Sequence, residues 1–289
     1  MKATFRLFVA VVAFSSPFGG SPAAGAEGGH PHSRTKPADA AAPYVLARKR
    51  ANPLPPRGEE KEPPTTLANW AVVVVAGDDQ SAHEDLSTEA FDNARRDVAS
   101  AFVARGVSPS NVAQFSLHPD RYPADRPLLT APRPIFTRLT RLAKAAPDGC
   151  LVYFTSHGSP DGVVVGDDEI TPAQMTSAVD FACGERPTAV IISACYSGVF
   201  VPALRGPDRF VLTAARRDRS SFGCGESDKY PFFDGCVIEH LPASIDFADL
   251  ARRVLLCVDA REDAEGMRPR SQPQVFVGPR FAKLGLRFN

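Results

Sequence analysis

The chain has 289 residues, 44% of them hydrophobic, and its 33 lysines and arginines balance 33 aspartates and glutamates. That length suits one globular domain of about 220 residues with extensions. The scattered, balanced charge excludes an extended basic surface for nucleic acid.

Residues 1–26 carry the marks of an export signal. Lys2 and Arg6 precede an apolar stretch from Leu7 to Phe14, and Ala24-Gly25-Ala26 supplies small residues for cleavage after Ala26. The apolar run is too short to span a bilayer, and no later segment comes closer. An exported protein, periplasmic or secreted, is expected, with no membrane partner beyond that segment. Residues 27–68 are rich in proline and charge without apolar periodicity, the composition of a disordered linker. Arg48-Lys49-Arg50 within it offers a place to cut if the segment is a pro-region, although a basic triplet there is more simply solvated charge. The folded domain is expected over 69–289.

Ala71 to Ala76 is a nearly continuous valine run ending at Gly77-Asp78-Asp79, which predicts a strand buried on both faces. Phe91, Ala94, Val98 and Phe102 recur at helical spacing, with Ser87 as cap and Gly106 as stop. A short strand from Val112 to Leu117 and a proline-rich loop follow. Next come a helix from Ile135 to Ala146 and a strand from Cys150 to Ser156. Gly162 to Ile170 reads as a small hairpin. Thr171-Pro172-Ala173-Gln174 opens a helix with a capping box. Further strands are predicted ending at Cys195, over Phe210 to Thr213 and over Gln274 to Val277, with a helix from Asp246 to Val258 before the last. Strands alternating with helices define an α/β domain with a doubly wound, mostly parallel sheet.

Two strand ends carry reactive side chains: Leu151-Val152-Tyr153-Phe154-Thr155-Ser156-His157-Gly158 and Ala189-Val190-Ile191-Ile192-Ser193-Ala194-Cys195. In open α/β sheets functional groups gather beyond the carboxyl ends of strands. If the two strands are neighbours, an imidazole meets a thiol at one sheet edge, the requirement for a cysteine hydrolase. Glycine follows each, Gly158 directly and Gly198 after Tyr196-Ser197, allowing close backbone approach to a bound carbonyl. Taken singly, a free cysteine is usually a small core hydrophobe and a histidine is usually structural. The joint position of the pair favours catalysis.

These segments resemble the legumain-like cysteine peptidases (peptidase C13), whose clan shares the caspase fold, in an exported, bacterial-type form. The resemblance runs from about Trp70 to Val277. It is carried by Tyr153-Phe154-Thr155-Ser156-His157-Gly158, by Ile192-Ser193-Ala194-Cys195-Tyr196-Ser197-Gly198, and by Arg219-Ser220-Ser221-Phe222. It implies a caspase-like fold and a cysteine endopeptidase that needs no cofactor. Cys195 would be the nucleophile, His157 the general base and acid, and the backbone N–H groups of Gly158 and Cys195 the oxyanion hole. Tyr196, Ser220, Ser221 and Phe222 would line the cleft for an extended peptide or protein substrate.

The chain departs from the eukaryotic asparagine-preferring members in having Tyr196 where they carry an acid. The loop Gly77 to Asp85 also lacks their arginine. No clear counterpart stands out for the asparagine that supports the histidine in some members, although Asp78, Asp79, or Asn93 on the first helix could approach it.

Among the other cysteines, Cys224 and Cys236 share an irregular stretch where a bridge is plausible, while Cys150, Cys183 and Cys257 read as core residues. No histidine or cysteine pair has tight metal-ligand spacing. His83, His118 and His240 read as surface or loop residues. A transamidase of the same family and a catalytically inert, peptide-binding caspase-fold module remain as alternatives. A nucleotide-binding protein is disfavoured, because neither the dinucleotide fingerprint nor the phosphate loop follows the first strand.

Overall fold

The structure is a computed structural model that describes residues 66–82 and 86–289. The signal-like segment, the linker as far as residue 65, and His83 lie outside the described residues.

The valine run forms β1 (Trp70–Ala76), every residue of which is buried. Then follow α1 (Ala90–Ala104), β2 (Val112–Ser116), β3 (Leu128–Leu129), α2 (Pro132–Ala145) and β4 (Gly149–Thr155). The predicted hairpin is β5 (Val163–Val165) with β6 (Asp168–Ile170), and it leads to α3 (Pro172–Cys183) and β7 (Thr188–Ser193). The chain continues through α4 (Phe200–Leu204), β8 (Arg209–Thr213), α5 (Phe232–His240), α6 (Phe247–Ala264) and β9 (Gln274–Val277).

Seven strands form one sheet in the order β3-β2-β1-β4-β7-β8-β9. All neighbours run parallel except β9, which pairs antiparallel with β8. Strand residues alternate between two cores, as the two-residue period requires. Val72, Val74, Leu151, Tyr153, Ile191 and Leu212 pack under α1, α5 and α6, against Val98, Phe233 and Val254. Val73, Val75, Val152, Phe154, Ile192 and Val211 pack under α2, α3 and α4, against Leu139, Val179 and Phe200. Covered on both faces, the central strands must be apolar throughout, hence their valine and isoleucine runs.

The capping box at α3 forms as expected: Gln174 N donates to Thr171 Oγ1 and Thr171 N to Gln174 Oε1. Other boundaries shift. Helix α1 starts at Ala90 rather than beside Ser87, with Ala90 N donating to Thr88 Oγ1 at 3.1 Å. Helix α2 starts at Pro132, because proline suits a first turn that needs no backbone donor. Helix α6 runs on to Ala264. β3, α4 and α5 had no counterpart in the sequence reading. The first is two residues long, and the other two are short segments whose helical period is overlaid by residues buried all round.

The cysteine pattern differs from expectation. Cys150 bridges Cys183 and Cys236 bridges Cys257, leaving Cys195 and Cys224 free. The suggested Cys224 to Cys236 bridge is absent because Cys236 lies on α5 facing α6. One bridge ties β4 to α3 on one face of the sheet, and the other ties α5 to α6 on the opposite face. By loop closure each is worth about 3 to 4 kcal/mol. Peptide mapping without reductant should return these two linked pairs, with Cys195 and Cys224 alkylated. A Cys224–Cys236 peptide would contradict the arrangement.

Candidate active site

β4 and β7 pair in parallel from Cys150↔Thr188 to Thr155↔Ser193. One step further, Ser156 N donates to Ser193 O at 3.0 Å. His157 and Cys195 therefore each stand two residues beyond the same rung, at the carboxyl edge of adjacent strands. The segments touch there: a Cβ built on Gly158 would lie 2.4 Å from the Cys195 carbonyl oxygen. Only glycine lets the two main chains approach so closely. Among the described residues, no acceptor pairs with the backbone N–H of Gly158 or of Cys195.

Three elements hold His157. The ring of Phe91, on α1, meets it in a T-shaped contact at a centroid distance of 5.2 Å and an interplanar angle of 78°. Its carbonyl accepts from Val164 N of β5 at 3.0 Å. Nε2 lies 3.0 Å from the carbonyl oxygen of Gln80, to which a protonated nitrogen donates. None of the side chains proposed from sequence supports the ring. Asp79 pairs with His118 at 2.6 Å, Asp78 accepts from the N–H groups of Asp79 and Gln80, and Asn93 accepts from Arg96. A main-chain carbonyl takes the place expected for a side chain, and composition carries no signal for it.

Cys195 is half-buried against the segment after β8. Ser221 N donates to its Sγ at 3.3 Å, and the Ser221 carbonyl and hydroxyl oxygens each lie 3.6 Å from the sulfur. Tyr196 follows in the left-handed region (φ 56°), and its N–H donates to Arg219 O at 2.8 Å. Ser197 Oγ donates to Ala194 O and accepts from Ala215 N. Tyr196 and Ser221 thus flank the thiol, and Ser220 is exposed beside them. The Phe222 ring has its centroid 6.4 Å from that of Phe232 of α5.

The second free thiol is of another kind. Burial, with a contribution from the nearby Cys195, pushes Cys224 up to about 12, so at neutral pH it is a thiol and a poor nucleophile. Its carbonyl accepts from Ala82 N, joining the loop after β1 to the loop before α5.

Beneath the rung lies a polar cluster that sequence reasoning missed. Asp234 of α5 is fully buried and accepts from the hydroxyls of Tyr153 (2.5 Å), Thr155 (2.7 Å) and Ser193 (2.8 Å). Burial raises its pKa to about 6 against the pull of the three donors. The available signal was a hydroxyl residue two places before both His157 and Cys195, on strands otherwise apolar. Among the described residues one group, Glu239, His240 and Cys257, is close enough for a metal ion. The Cys257 sulfur is committed to its disulfide and offers no thiolate.

The sheet order and the two helix layers define a caspase-like fold. The fold is similar to that of the crystal structure of Caspase-1 from Spodoptera frugiperda, with a TM-score of 0.53 and 14% identity over 78% of this chain and 93% of that chain. Residues 138–246 match the Peptidase C13 family. That stretch contains His157, Cys195, the segment 219–222 and Asp234. No curated protein matches the chain.

Gly158→Ala places a methyl group against the Cys195 carbonyl and must separate the two strand ends. Turnover of a peptide substrate should fall about 100-fold, the scale of a 1 Å misplacement, and the thermal midpoint should fall with it, because the added methyl meets main chain that cannot swing aside. Wild-type rates in this variant would show that the close approach has no catalytic weight.

Proposed function

We propose that the protein is a cysteine endopeptidase acting through Cys195 and His157. The observation that carries this reading is the contact of the main chain after His157 with the Cys195 carbonyl, beyond one rung of adjacent parallel strands. The Cys195 sulfur attacks the scissile carbonyl carbon, and His157 takes the thiol proton. The tetrahedral oxyanion is received by the backbone N–H groups of Gly158 and Cys195, donors that typically contribute about 3 to 4 kcal/mol in such sites. As the C–N bond breaks, His157 returns the proton to the leaving amine and a thioester remains. Water, deprotonated by His157, then releases the acid and restores the thiol.

The substrate is a peptide or protein segment in extended form, laid along Ser220, Ser221 and Phe222 by main-chain hydrogen bonds, with Tyr196 beside the reacting carbon. Export to an oxidising compartment, the periplasm or the exterior, fits the signal-like segment 1–26 and the two disulfides. Among the described residues no helix is long and apolar enough to cross a membrane.

Incubation with a peptide library and a thiol-reactive probe tests the reading. Cys195→Ala and His157→Ala should each lose about 10³-fold or more in kcat/KM, and probe labelling should disappear in Cys195→Ala although Cys224 remains. Cleavage that persists in Cys195→Ala would remove the enzyme assignment. Silence in all three proteins would leave a peptide-binding module. An added amine nucleophile that diverts the product to an amide would identify transamidation.

A further inference from the structure

We propose that Asp234 is a positioning residue, whose buried carboxylate ties together the two strand ends that carry His157 and Cys195. The inference rests on the cysteine-peptidase reading above and extends it to a residue outside the reacting pair.

One oxygen, Oδ2, accepts from both Thr155 of β4 and Ser193 of β7, and the other accepts from Tyr153. Thr155 and Ser193 are register partners on the last rung of the β4–β7 ladder. A single carboxylate oxygen thus clamps the rung from which His157 and Cys195 both project. It acts from α5, an independent element, so it fixes the strand ends relative to the helix layer as well as to each other.

Ordinary packing does not call for this arrangement. The remaining residues of β4 and β7 that face α1, α5 and α6 include Leu151, Ala189 and Ile191, and apolar side chains would fill the space without burying a charge. Ionised, the carboxylate accepts three hydroxyls at once. Protonated, it carries a hydrogen of its own among them, and one hydroxyl must change from donor to acceptor.

With its folded pKa raised above 3.8, Asp234 keeps a proton that the unfolded chain has released. Its contribution to stability therefore falls as pH rises from about 4 through about 6. Near neutral pH the charged form is held at the expense of stability, a pattern common where geometry is maintained for function.

Among the described residues, Tyr153 is the one titratable group in contact with the carboxylate, pushed well above the ordinary tyrosine value by burial. On α1, Asp92 pairs with Arg95, and Asp97 pairs with Arg96 and accepts from Tyr230; on α6, Arg261 pairs with Glu239.

The test uses the full chain as wild type, Asp234→Asn, Thr155→Val, Ser193→Ala and Cys195→Ala. Thermal midpoints and steady-state peptide cleavage are measured from pH 4.5 to 8.5. Asp234→Asn is expected to fold with a midpoint at pH 7.5 no lower than wild type. Its kcat should fall about 10- to 100-fold with KM within about threefold, and the acid limb of the wild-type kcat profile near pH 6 should flatten. Thr155→Val and Ser193→Ala should each lower kcat about 5- to 10-fold, and they decide the matter if Asp234→Asn does not fold. Folded variants with wild-type kcat and an unchanged pH profile would show that the carboxylate merely packs. Should wild type and Cys195→Ala be equally inactive, the peptidase reading fails and this proposal falls with it. Cysteine-dependent wild-type activity undiminished in the Asp234, Thr155 and Ser193 variants overturns the proposal alone.

Discussion

The pairing of β4 with β7 is the constraint on which the candidate site depends. Side chains alternate along a strand, so a slip of one residue would turn every side chain of one partner to the opposite face. With Thr155 opposite Ser193, the residues two places further along both strands arrive together. The register is enforced by the two cores, because Val152, Phe154, Val190 and Ile192 must enter one and Leu151, Tyr153, Ala189 and Ile191 the other. Burial on both faces thus determines, far from the thiol, where the thiol will stand.

Around that edge the molecule changes from apolar packing to hydrogen bonding within one rung. Tyr153, Thr155, Ser193 and Asp234 form a closed polar layer between the valine and isoleucine core and the exposed edge. Above it, three loops are stitched by main-chain groups. Gln80 O meets His157, Ala82 N meets Cys224 O, and Ser221 N meets the Cys195 sulfur. Backbone contacts of this kind tolerate changes of side chain while holding a site in place.

Much of the architecture was legible because fully buried parallel strands leave a strong trace in sequence. β1, β4, β7 and β8 were each found within two residues of their ends, as was the capping box of α3. Elements that depend on contacts with distant segments left little trace. β3 exists because Leu128 and Leu129 pair with Phe115 and Ser116. Helix α5 has apolar residues on several sides, since it lies between the sheet, α1 and α6, and so lacks an amphipathic stripe. Missing that helix also meant missing Asp234 and misplacing Cys236.

What the sequence determined by itself was the set of strands, the alternation that makes them a two-faced sheet, and the placement of a histidine and a cysteine at strand ends. These follow from local periodicity and from glycine and proline at fixed offsets. The tertiary structure alone decided which cysteines are joined, that a main-chain carbonyl rather than a carboxylate meets the imidazole, and that a buried aspartate joins two strands from a third element. Each of these is a contact between residues far apart in the chain, and linear spacing carries no record of distance in space once the chain has crossed the sheet.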